Sequence, residues 1–262
     1  MTYQFSGPII AFSTERNCVD AAAPYDGFNV THYSDDSREH VSQCREQLCA
    51  RLGILQSHLI VPRQVHGVRI DEVTKENLDD PFDNIDALIT RTPGVCIGVS
   101  TADCVPLLFH DCRTHAVAAA HAGWRGTVAG IARLTIKAMH DTFGTCPENV
   151  ECAIGPSIGP EAFEVGDEVY EAFAYANFPM TDIAFRSPLT NKWHIDLWQA
   201  NKWLLTEAGV PEESVHVSSL CTYTNYSRFF SARRLGIQSG RIFTGMIITE
   251  CENPSMSQSY KI

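Results

Sequence analysis

Apolar residues fall along this chain in short runs of four to seven, broken by polar or glycine-containing turns, the spacing of a mixed sheet protein rather than a helical bundle. The clearest pair is Val105 to Phe109 and Ala116 to Ala120, separated by polar Asp111 to Thr114. That pattern predicts a hairpin with a four-residue loop. If His110 faces His115 at the mouth of the loop, the same register sets Cys104 opposite His121, with Cβ atoms about 4.5 to 5.5 Å apart. Pro106 cannot donate to a ladder and favours an edge or a bulge, and a slip of one residue would send the two side chains to opposite faces.

Strands are also predicted at Ile9 to Ser13, within Gly27 to Ser37, at a run ending in Arg63 to Gly67 (RQVHG), and at Asp86 to Thr90, Val95 to Ser100, Val150 to Ile154, Trp193 to Ile195 and Val215 to Ser218. Arg228 to Glu250 reads as strand, turn, strand. Helical spacing appears where Val41, Cys44, Leu48 and Leu52 recur over Arg38 to Leu52, capped by Asp36 or Ser37 and stopped by Gly53. A second helix is expected from an N-cap at Thr127 through Val128, Ile131, Leu134 and Ile136 to Gly144, a third over Gly166 to Phe173, and a fourth from Asp196 to Gly209. Asn177 to Thr190 reads as irregular. Without a repeat, linker or charge block, residues 1–262 are expected to form a single α+β domain with many short, mixed strands.

At 262 residues and 44% hydrophobic composition, the chain can bury a full core without staples. A net charge of -11 argues against a nucleic-acid partner, which needs a basic stripe, while leaving room for an anionic small substrate held by a few arginines. Met1 to Gly7 lacks a secretory pattern, and no apolar run approaches the roughly 20 residues of a membrane span. The expectation is a cytoplasmic protein without membrane association, monomeric or a weak homo-oligomer, with reduced cysteines. Cys49, Cys96, Cys112, Cys146, Cys152, Cys221 and Cys251 then read as core or surface thiols. No C-x-x-C pair occurs, so a metal site would have to be assembled from residues far apart in sequence.

Cys104 and His121, paired by the hairpin, are ligand types that zinc prefers. His66 joins them by its setting before a glycine at a strand end, although a lone histidine of this kind is more often an ordinary surface or core residue. Past His121, the turn Ala122 to Gly126 leads toward a helix start. Arg125 there is a candidate for gripping a phosphate or carboxylate with two parallel hydrogen bonds, although the glycines are equally explained by a tight turn.

RQVHG, DALIT, TADCVPLLFHD, AHAGWRGTVAGI, AIGPSIGPEAFEVG, CTY and FFSARR together resemble the laccase-domain family, also described as multicopper polyphenol oxidases and as purine nucleoside phosphorylases. The likeness runs from about Phe12 to Ile248. It implies α/β/β/α layers related to toxin-type cysteine hydrolases, and zinc held by His66, Cys104 and His121. Two segments depart from the family pattern, Cys18 to Pro24 in place of a glycine-rich turn and Gln43 to Arg45 in place of N-R. Substrate preference is what these departures put in question.

Of the activities the resemblance implies, copper-dependent polyphenol oxidation fits the residues least, because a four-copper oxidase needs H-x-H pairs and this chain has none. Zinc-dependent phosphorolysis of adenosine, inosine or S-methyl-5'-thioadenosine fits better, with adenosine deamination as a second activity. Phosphate must then sit beside the ribose C1′, for which Arg125 and Arg233 are the candidate clamps. Deamination needs a carboxylate to shuttle a proton, and Asp103 is the nearest in sequence to Cys104. Arg234 should face away from Arg233 on a regular strand. A rival reading makes Cys104 the nucleophile and His121 its base in a metal-free hydrolase acting on an amide or ester such as a cell-wall precursor. A non-enzymatic metal-dependent binding protein is the third.

Overall fold

The computed structural model describes residues 1–249; Cys251 and the end of the predicted Arg228 to Glu250 strand pair lie outside them. Strand Cys96–Thr101, buried at all six positions, pairs on one side with Ile242–Ile248 and on the other with Leu59–Ile60. Ile9–Ser13 and Thr2–Tyr3 complete this five-stranded mixed sheet. A six-stranded sheet runs in the order Val215–Val217, Val150–Ile154, Val105–Asp111, Val117–Ala122, Ala87–Thr90, Ile70–Glu72. A small third sheet joins Glu164–Val165, Trp193–Ile195 and Ala184–Arg186.

Strand alternation sorts the six-stranded sheet into two faces. Leu88, Leu108, Val117, Ala119 and Ala153 pack with Ala11, Ile97, Val99 and Met246 of the other sheet. The intervening Ala87, Leu107, Phe109, Ala118 and Ala120 pack against helices Ile131–Phe143 and Leu197–Glu207 through Ile131, Ile136, Met139, Leu204 and Leu205. Helix Arg38–Leu52 covers the far face of the five-stranded sheet with Cys44, Leu48 and Leu52. The order helix, sheet, sheet, helix is the layering expected from the resemblance. By the same alternation, Asp86 and His121 fall on the face that meets the other sheet, at the sheet's end.

Several local expectations are corrected. The hairpin forms, but Pro106, not Cys104, lies opposite His121. Asp111 extends the strand: its side chain accepts the N–H groups of Arg113 and Thr114, its own N–H reaches Ala116 O at 2.9 Å, and His115 turns at φ 58°. A slip of two residues preserves the face, so Cys104 and His121 still converge. The helix predicted from Thr127 begins instead at Gly123, as the short helix Trp124–Val128, and restarts at Ile131 after Gly130 adopts a left-handed φ of 79°.

Gly27 to Ser37 contains no strand, because the Asn29 side chain accepts the Thr31 N–H and competes with a ladder. Asn177 to Thr190 is partly ordered: Met180–Ile183 is a helical turn, and Arg186 pairs with Trp193 and stacks over its ring at 4.6 Å. In FFSARR, Ser231 caps the Arg234 N–H, making Ala232–Leu235 a helical turn rather than a strand. Among the described residues every cysteine is a free thiol, and no helix is long and apolar enough to cross a membrane.

Candidate metal centre

His66, Cys104 and His121 come together at the end of the six-stranded sheet, each offering one ligand atom, all within 4.8 Å of one another. Cys104 immediately precedes strand Val105–Asp111, and its Sγ lies 3.8 Å from His66 Nε2. His121 sits on the neighbouring strand, buried, with its ring 4.7 Å from that of His66 at 77°. His66 is exposed and has a left-handed backbone, φ 61°.

Asp86, fully buried at the head of its strand, explains how that conformation is held. Its carboxylate accepts backbone N–H groups from Val65 at 3.2 Å, His66 at 2.9 Å and Gly67 at 2.8 Å. The same carboxylate lies 2.8 Å from His121 Nδ1. A carboxylate can only accept, so the proton of His121 resides on Nδ1, and Nε2 is left as the ligand atom. Gln64 fixes the other side of the loop by accepting the Ser100 N–H at 2.7 Å and donating to Ser100 O at 2.8 Å.

Burial by itself pushes the Cys104 thiol up, but the charge and hydrogen bond of His121, together with His66, bring it well below the usual thiol range. Burial pulls His121 down, and Cys104 with Asp86 overcomes this to raise it. Asp86 is pushed up by burial, yet His121 and the Gly67 and Val65 N–H groups hold it below the ordinary carboxylate range. Without metal these directions favour a proton moving from Cys104 to His121, with the Asp86 carboxylate behind the imidazole. Two imidazole nitrogens and a thiolate form a donor set suited to zinc with one position left open. Gly123 keeps the space clear: a Cβ there would lie 3.0 Å from His66 Cδ2 and 3.1 Å from Cys104 Sγ.

The other expected residues are placed differently. Asp103 is nearly buried, and its two oxygens accept Thr222 Oγ1–H and the Arg233 N–H, each at 2.6 Å. Arg125 is exposed and stacks on Trp124 at 4.2 Å. The Arg233 guanidinium donates to the carbonyls of Ala162 and Glu164 at 3.2 Å. Asp86 and Gly123 were not anticipated. The signal for Asp86 was a carboxylate opening the apolar run DALIT, since a buried charge needs partners.

Residues 10–249 match the family model described as multi-copper polyphenol oxidoreductase laccase. A Bacteroides thetaiotaomicron protein named purine nucleoside phosphorylase is 44% identical over 244 residues, 90% of either chain. A protein named adenosine deaminase RL5, from an unknown prokaryotic organism, is 43% identical over 243 residues, 90% of this chain and 92% of its own. The crystal structure of YlmD from Geobacillus stearothermophilus is similar with a TM-score of 0.86 at 29% identity, covering 95% of this chain and 99% of that one.

Proposed function

The chain belongs to the multi-copper polyphenol oxidoreductase laccase family, and from that membership we propose that it is a cytoplasmic, zinc-dependent purine nucleoside phosphorylase acting on adenosine, inosine and S-methyl-5'-thioadenosine, with adenosine deamination as a second activity. The observation that carries this reading is the convergence of His66, Cys104 and His121. Relatives named for both activities support it. When bound, zinc supplies Lewis acidity with no redox chemistry of its own.

The chain's own groups supply the rest. Asp86 holds His121 in the tautomer that presents Nε2, and holds the His66 loop in its left-handed turn. Arg125, exposed two residues beyond Gly123, is the group assigned to the incoming phosphate, whose attack at C1′ accompanies departure of the base. Despite the family's description, polyphenol oxidation through several coppers is not favoured. His66, Cys104 and His121 make the one cluster of three such ligands among the described residues, and a multicopper enzyme needs several.

A second reading is favoured by one geometric fact. Cys104 Sγ lies 3.8 Å from His66 Nε2 and within 4.8 Å of a ligand nitrogen of His121, whose other nitrogen is held by Asp86, so a cysteine with imidazoles and a carboxylate behind it suits hydrolysis of an amide or ester. Product analysis with adenosine separates these readings. On zinc-loaded protein, adenine released only with phosphate indicates phosphorolysis, and inosine formed without phosphate indicates deamination. Neither product, with ester or amide cleavage that survives chelation, would favour the cysteine hydrolase.

A further inference from the structure

Asp103 immediately precedes Cys104 and adopts a left-handed backbone, φ 85°. One residue there joins three separate segments. Its carbonyl accepts the Ile158 N–H at 2.9 Å, Oδ1 accepts Thr222 Oγ1–H at 2.6 Å, and Oδ2 accepts the Arg233 N–H at 2.6 Å. The first two segments are also tied to each other, Ser157 N–H to Leu220 O at 3.2 Å and Thr222 N–H to Ser157 O at 3.0 Å. The Arg233 segment has its own link to the body through the guanidinium contacts with Ala162 and Glu164.

The residues next to these ties have side chains suited to a planar, hydrogen-bonding substrate. Tyr223 follows Thr222, and Arg234 follows Arg233. The Arg234 guanidinium lies 4.7 Å from the Tyr226 ring and 5.4 Å from the Tyr223 ring, so the two segments meet in one aromatic and cationic cluster. Such a cluster offers π faces for a base and positive charge for an anion.

We propose that Asp103 is a positioning residue for substrate recognition: it fastens the segments carrying Tyr223, Tyr226, Arg233 and Arg234 to the backbone that presents Cys104. This rests on the nucleoside phosphorylase reading. Both carboxylate oxygens are committed to protein donors, which is the arrangement of a clamp and not of a proton shuttle. The strained φ is the cost of turning the side chain toward those segments while Cys104 enters the strand.

The test is Asp103→Asn in the zinc-loaded protein, with adenosine and inorganic phosphate. An amide has one acceptor oxygen and no charge, so at most one donor keeps its acceptor, the Thr222 hydroxyl must turn to accept from the NH₂ or lose its partner, and both formerly charge-assisted ties weaken. The expected result is a KM for adenosine raised about tenfold or more, kcat within about threefold of the parent, and unchanged zinc content. Amide exchange in residues 220–235 should quicken by about tenfold. Thr222→Val should shift KM and exchange in the same direction, and Thr222→Ser should restore both. This pair decides the matter on the same readouts if Asp103→Asn does not fold. A kcat loss of about a hundredfold at unchanged KM, with one limb of the pH profile missing, would mean proton transfer and overturn the proposal. If the parent releases no adenine, the phosphorylase reading fails, and amide exchange alone then decides the clamp: faster exchange upholds it and unchanged exchange overturns it.

Discussion

Asp86 Oδ1 lies 2.8 Å from His121 Nδ1 and 2.9 Å from the backbone N of His66, so one buried oxygen orients one imidazole ligand and anchors the loop that carries the other. The two ligands come from segments 55 positions apart in sequence (66 to 121), and nothing local would keep them in register. The carboxylate is the shared reference point. Its charge also stabilises the imidazolium that forms when the Cys104 thiol gives up its proton.

Replacing this carboxylate should therefore damage metal binding before it damages the fold elsewhere. Asp86→Asn retains the shape but opposes an NH₂ to one or more of the N–H groups now bound. Loss of a partner that orients a metal-binding histidine typically costs about 10- to 100-fold in metal affinity. Zinc competition against a chromophoric chelator gives the number directly, and an affinity within about threefold of the parent would remove Asp86 from this role.

Gly123→Ala isolates space from conformation. The backbone at Gly123 has φ -63°, open to any residue, so no strain is introduced. The added methyl would press on His66 Cδ2 and Cys104 Sγ at about 3 Å. A substantial loss of bound zinc is expected, with a fall of no more than about 1 to 3 kcal/mol in stability as the loop gives way. Full zinc content by elemental analysis in a folded Gly123→Ala protein would show that the ligands do not need this gap.

The trio was legible because each member sits in a short distinctive setting, QVHG, TADC and HAGWRG, and because a hairpin slip of two residues conserves the face. Helix Arg38–Leu52 was equally legible, with Ser37 accepting at its start and Gly53 left-handed at its end. What sequence pattern missed were choices made by side chains bonding to backbone. Asp111 shifted the hairpin, Asn29 removed a strand, and Ser231 turned FFSARR into a helical turn. Periodicity is blind to such bonds because it scores burial. Asp86 was hidden for the related reason that its partners lie 19 to 35 residues away.

Metal removal and thiol blocking should act together if the metal reading holds. Cys104→Ala should lose both zinc and turnover, and chelated wild-type protein should lose turnover and regain it on adding zinc. The metal-free thiol is held below its usual range, so iodoacetamide should label Cys104 faster than an unperturbed thiol at neutral pH, and bound zinc should protect it. Activity that survives complete chelation but is abolished by alkylation would transfer the chemistry to Cys104 as nucleophile.

His110 predicts how stability changes with pH away from the metal centre. The imidazole is buried on strand Val105–Asp111, with Nδ1 3.4 Å from Glu151 Oε2 and Nε2 without a partner among the described residues. Burial lowers its pKa, opposed by Glu151 and Asp111 and reinforced by His115, and the net direction is down. The folded state thus binds a proton at His110 less readily than the unfolded chain. Its contribution is fully present above the unfolded value of about 6.5 and is lost as pH falls through the lower folded value. Glu151, itself held below its usual range by burial-opposing bonds from Ser6 and His110, adds a loss of the same sign at more acid pH. Urea unfolding from pH 7.5 to 5 should show stability falling with a slope of at most about 1.4 kcal/mol per pH unit from this one proton. His110→Leu should flatten the upper part of that fall. An unchanged slope in the variant would assign the pH dependence to other groups.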